Sequence, residues 1–173
     1  MSLLLSSQAP DSTRASVYEA SPINRVFGSI ELGEFVDRKD VSSTFNLPDY
    51  YALDHYREFS SYSFRTPVKY FDRVWDEVLV DYQNDTHNCS ALFFYKVFKQ
   101  EEKPFKEYDS LKQWFVSLYG SGEEKSSGDG RSITCIWQDS ETVLTLMLSK
   151  ISPGTRYRIM VSFSDKHKDI YYE

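Results

Sequence analysis

The chain lacks the clustered ligands of a structural metal site. It has two cysteines, Cys89 and Cys135, with no Cys-x-x-Cys and no histidine at zinc-ligand spacing. It also lacks positive charge in excess. A formal net charge of −6 leaves no basic footprint for phosphate backbones, which argues against nucleic acid as a partner. No apolar run approaches the ~20 residues of a membrane-spanning helix. Phosphate loops, nucleophile elbows, His-Glu-x-x-His helices and EF-hand loops are missing as well. Gly28 and Gly33 have P-loop spacing, but Glu34 follows where lysine is needed. The three histidines, His55, His87 and His167, fall in separate segments. The reading therefore contains no cofactor and no metal.

Aromatic rings are plentiful, with 13 Tyr and 12 Phe in 173 residues. Rings in such number fill a Tyr- and Phe-rich sheet, or form a binding surface in which tyrosine offers large area and a polar tip. The length suits one domain with a core that needs no disulfide. Residues 1–23 read as a flexible tail or leader remnant, with Leu4 to Ala9 matching the end of a cleaved signal peptide. Residues 24–173 read as a single α+β domain. Export to the periplasm or cell surface is expected, and in that setting Cys89 and Cys135 are a candidate disulfide. Two buried thiols are the alternative.

The organising stretch runs from Pro104 to Phe163. Tyr108, Leu111, Phe115, Leu118 and Tyr119 recur at steps of three and four, the stripe of an amphipathic helix, and Gly120 follows as its C-cap. Asp109 and Ser110 fall where an N-terminal acceptor is expected. Ser121 to Gly130 has no apolar residue and reads as a loop. Three strands follow, over 132–138, 142–149 and 156–164. In the last, Tyr157, Ile159, Val161 and Phe163 share one face, and Arg156, Arg158 and Ser162 share the other.

Earlier in the chain, 26–32 reads as a strand and 34–45 as a helix with Phe35, Val41 and Phe45 as contacts. Asp37 and Asp40 form its first-turn acceptor pair. Residues 49–66 fit either a short helix with an extended segment or a long ordered loop. Residues 68–82 read as one strand, broken near Phe71-Asp72, with Val74, Val78, Val80 and Tyr82 on one face and Trp75, Glu77, Leu79 and Asp81 on the other. Residues 88–100 are apolar on both faces and read as a central strand. The fold class is α+β: a mostly antiparallel sheet with helices packed on one face, and a possible α-β-β-β pseudo-repeat.

The pattern Tyr108…Leu111…Leu118-Tyr119-Gly120, then Trp137 opening into two hairpin strands, with Gly28…Leu32-Gly33 before the first helix, resembles small secreted and lipoprotein-like α+β proteins of Bacteroides-type bacteria. The layout is also similar to the β-lactamase-inhibitor-like fold. That resemblance implies binding of a protein or other ligand more than catalysis.

Two functional readings compete. One is a non-enzymatic exported interaction protein, with Tyr50, Tyr51, Tyr56 and Tyr62 as a rim or lid beside Trp75, taking a protein, peptide or glycan. The other is a hydrolase-type enzyme using carboxylates such as Asp72, Asp76, Glu77 and Asp81, since paired acids near an aromatic ring suit glycoside chemistry. A structural envelope subunit is a third class. No residue is assigned a catalytic role, and the oligomeric state is open.

Overall fold

A computed structural model describes residues 20–47, 52–99, 102–151 and 156–167. The chain begins with a small hairpin, β1 (Val26–Phe27) and β2 (Ile30–Glu31). The expected single strand is split because Gly28 turns the chain at φ 61. Helix α1 follows (Arg38–Phe45). It starts later than its apolar pattern suggests because Asp37 and Asp40 build a reciprocal capping box there. Phe35 is left outside the helix and 60% exposed. Asn46 closes α1 in the left-handed conformation.

Next come β3 (Ala52–His55) and β4 (Phe59–Phe64). These strands occupy the segment that resisted assignment. Three buried serines, Ser60, Ser61 and Ser63, hide its alternation. The stretch expected as one broken strand is three: β5 (Val68–Tyr70), β6 (Arg73–Trp75) and β7 (Glu77–Gln83). Strand β8 (Cys89–Phe98) returns beside β7.

Helix α2 (Glu102–Tyr119) starts ahead of the expected Asp109 cap. Pro104 sits in its first turn, where a missing N–H removes no intrahelical bond. Then β9 (Glu123–Ser126), β10 (Ser132–Gln138), β11 (Thr142–Ile151) and β12 (Arg156–Asp165) complete the chain. Part of the expected 121–130 loop is thus a strand. β9 is a sheet edge with all four residues exposed, so it carries no apolar alternation, and its charges blunt that edge.

Eight strands form one antiparallel sheet in the order β3-β4-β7-β8-β12-β11-β10-β9. The expected mostly antiparallel α+β class is observed, and β8 is central as its two apolar faces require. Directly opposed residues share a face. One row across the first face is Phe64, Val78, Phe94, Val161, Leu146 and Cys135. The next is Tyr62, Val80, Leu92, Phe163, Leu144 and Trp137. All twelve are buried. The Phe45 ring of α1 lies 6.0 Å from Phe94, and the Phe115 ring of α2 lies 5.5 Å from Trp137.

The β5–β6 turn places Phe71 and Asp72 at φ 52 and 56, the geometry of a mirror-image two-residue hairpin turn. The Phe71 ring is held there by Phe94 at 5.3 Å and Trp114 at 5.4 Å. Asp72 is exposed and tolerates this region better than a β-branched residue does. Asp72→Val is expected to cost about 1–2 kcal/mol, while Asp72→Gly folds at least as well as the parent. Urea unfolding midpoints check both.

Candidate functional site

The second face of the sheet has different chemistry. Near the β7–β8 turn its side chains are small or polar and buried: Ser61, Asp81, Ala91 and Ser162, beside Phe93. Asp81 is 2% exposed and accepts from the Ser61 hydroxyl. Ser63 is buried too, and its hydroxyl lies 3.4 Å from Glu77 Oε1. Arg65 pairs with the same oxygen at 3.3 Å.

Towards the other end the face opens. One row reads Glu77, Tyr95, Met160, Met147 and Thr134 across β7, β8, β12, β11 and β10. The adjacent row reads Val97, Arg158, Ser149 and Ser132. Tyr95, Met160, Met147, Arg158, Ser149 and Ser132 are all half-buried. The Arg158 guanidinium lies over the Tyr95 ring, 5.1 Å from its centroid. A basin of about 500 Å³ adjoins this corner, lined by Ser127, Ser132, Met147, Ser149 and Arg158 among others.

Tyr95 sits between two acids and a cation. Burial is the main force pushing its phenol up, to about 12; Arg158 opposes the rise, and Asp81 and Glu77 add to it. Burial also raises Tyr70, Tyr108 and Tyr119 above their usual range. A phenol whose folded pKa exceeds its unfolded value holds its proton more tightly in the native state. The associated stability is complete below pH ~10 and is lost as pH rises from ~10 towards 12. The thermal midpoint is therefore expected to fall across that window. Tyr95→Phe should shrink the fall, in a series of melts from pH 8 to 12.

The residues singled out in the sequence do not form one site. Tyr50 and Tyr51 lie outside the described residues. Tyr56 is 53% exposed and stacks on Phe59 at 4.6 Å. Tyr62 is buried on the first face, 4.9 Å from Tyr82. Trp75 is fully buried in the core, and its Nε1 donates to the Tyr70 carbonyl at 3.0 Å. Trp75 and Glu77 were expected on one face, but the break at Asp76 puts Trp75 in the core and Glu77 on the second face. Arg158, Tyr95 and Met160 were not picked out, although Arg158 stands in the alternation of the clearest strand.

Cys89 and Cys135 are free and buried. They sit on β8 and β10 with β12 and β11 between, which alone separates them by about 14 Å at the interstrand spacing, and Cys135 lies in the row of Phe94, five residues along β8 from Cys89. A disulfide needs Cα atoms within about 7 Å. The candidate bond is absent, and burial pushes the Cys89 thiol well above its usual range.

The histidines are dispersed: His55 Nδ1 lies 2.9 Å from Ser60 Oγ, and the His87 ring stacks on Tyr82 at 4.7 Å. Among the described residues no three His, Cys, Asp or Glu side chains are placed to hold a metal ion. No helix among them is long and apolar enough to cross a membrane. A second cavity, about 300 Å³, lies between residues 20–23 and β10. Of its two acids, Asp139 already accepts from the N–H groups of Ile23, Glu141 and Thr142, and Glu123 pairs with Lys125 at 2.9 Å. Ile23, at the end of the expected tail, belongs to the core.

Comparison with known proteins gives no match to a family model, a curated protein or a solved structure.

Proposed function

We propose that this chain is a non-enzymatic binding protein, exported from a bacterium of the Bacteroides type, that holds a protein, peptide or glycan against the second face of its sheet. The carrying observation is the half-buried band of Tyr95, Met160 and Met147 with Arg158 beside it. Tyrosine, methionine and arginine supply large contact area with adaptable geometry, and they are enriched where proteins bind partners. In this reading both helices cover the first face and leave the band open. The ring contacts of α1 and α2 with Phe94 and Trp137 support it.

The same reading treats the chain as a pseudo-repeat. Helix α1 precedes the run β3-β4-β7-β8, and α2 precedes β9-β10-β11-β12. The last strands of the two runs, β8 and β12, pair at the centre of the sheet.

Two acids of the competing hydrolase reading, Asp81 and Glu77, are engaged elsewhere. Asp81 is bound to Ser61, and Glu77 to Arg65 and Ser63. They stand four residues apart on one strand, about 13 Å between Cα atoms. The test is a glycan array and a peptide array probed with the parent protein and with Tyr95→Ala/Met160→Asp. Signals that the parent gives and the variant loses, with the variant's far-UV circular dichroism intact, support the reading. Signals unchanged in the variant, or cleavage of a bound glycan, overturn it.

A further inference from the structure

We propose that the basin beside Arg158 is an oxyanion site, which takes a carboxylate, sulfate or phosphate group carried by a small organic ligand. This rests on the second face being the binding face. Its first support is the state of Arg158. The Nε atom is buried and has no hydrogen-bond partner. Arg25, Arg65, Arg73 and Arg131 each hold a carboxylate. Arg158 holds none among the described residues; only the Tyr95 ring accompanies its guanidinium. A buried N–H on a cation without an acceptor is costly, and an arriving oxyanion supplies the missing acceptor in the paired-donor geometry that guanidinium favours.

The second support is register. Ser132, Ser149 and Arg158 lie directly opposite one another on β10, β11 and β12. The row is about 10 Å wide from strand to strand. It sets two serines in register with Arg158, and neither serine hydroxyl is bonded among the described residues. Both can donate to the oxygens of an anion or to hydroxyls next to it.

Charge is the third. The basin walls carry Arg131, Lys150 and Arg158 against one acid, Asp129, on a chain of net charge −6. Asp129 is occupied: its Oδ1 accepts from Ser127 Oγ at 2.6 Å and from the Arg131 amide at 3.1 Å. Lys150 Nζ lies over the Tyr157 ring at 5.9 Å, so it adds field more than direct contact. At about 500 Å³ the basin has room for a body beyond the anion, with Met147 and Ile151 as its apolar wall.

The test uses the arginine Nε–H resonances of the whole protein at low ionic strength. Sodium sulfate, D-glucuronate and glucose 6-phosphate are titrated separately, with methyl glucoside as the neutral control. The Arg158 Nε–H signal, with the Ser132 and Ser149 amides, is expected to move saturably with at least one of the three anions, at midpoints on the order of millimolar for so few contacts. Which anion does so identifies the source of the group. Arg158→Gln should weaken the response of the Ser132 and Ser149 amides about tenfold, and Arg156→Gln should leave it unchanged. Ser149→Val, which keeps the arginine and the strand shape, should weaken it about threefold.

Linear, unsaturated drift with all three anions would overturn the proposal. So would an Arg158 response no different from that of exposed Arg156, or full binding by Arg158→Gln. Array binding that depends on Tyr95 with no anion response would refute the oxyanion site and leave the binding face standing.

Discussion

Trp75→Ala is expected to lose about 3–5 kcal/mol of folding stability, the range for removing a large buried ring that its neighbours cannot replace. The ring has no exposure and lies 5.5 Å from Phe94, itself in contact with Phe45, Tyr70 and Phe71. Trp75→Phe retains most of the apolar volume but leaves the Tyr70 carbonyl without its 3.0 Å donor. It should cost about 1–3 kcal/mol. Chemical denaturation of the two variants gives the ordering. A ring that served a ligand would show the reverse pattern, with stability kept and affinity lost. A Trp75→Ala protein with the parent's midpoint would therefore remove Trp75 from the core.

Arg25→Ala is the second large effect. This side chain fastens the N-terminal hairpin to the far ends of β11 and β12. Nη1 donates to the Glu141 carbonyl at 2.8 Å and to Thr142 Oγ1 at 3.0 Å. Nη2 donates to the Leu32 carbonyl at 2.7 Å and to Asp165 Oδ2 at 3.2 Å. Asp165 is 5% exposed, so truncating Arg25 strands a buried carboxylate. The expected loss is about 3–5 kcal/mol. Asp165→Asn keeps an acceptor and removes the charge, so it should lose less. In the double change the cost of losing Arg25 should shrink, because no stranded charge remains. A double-mutant cycle reads that coupling, and additive losses would mean that the ion pair carries none of the stability. The same corner explains Gly33. Its φ is 89, and a Cβ there would stand 2.7 Å from Asp165 Oδ2.

Much of the fold was legible because it rests on local periodicity. The apolar stripe of α2, the alternation of β10, β11 and β12, and the two-faced apolar run of β8 each report burial within one element. The Asp37–Asp40 cap is local too. Illegible segments failed for identifiable reasons. In β4, buried serines looked polar. In β9, an edge strand wet on every side had no pattern. Between β6 and β7, one irregular residue reversed the parity that joined Trp75 to Glu77. The candidate site suffered most, because a dense local run of tyrosines says nothing about depth. Tyr62 went to the core and Tyr56 to the surface.

The sequence by itself determined the class of the molecule: an acidic, aromatic-rich chain whose strands and amphipathic helices make an α+β domain. Those properties follow from residue type and spacing, which act over a few neighbours. Only the tertiary structure decided which rings are core, that the two thiols stand apart, and that Arg25 reaches Asp165 across 140 residues. It also decided the row of Ser132, Ser149 and Arg158. Alternation tells which side of its own strand a residue takes, but not which residue of another strand lies opposite. That depends on long-range pairing register, and register is set by the burial of all eight strands together.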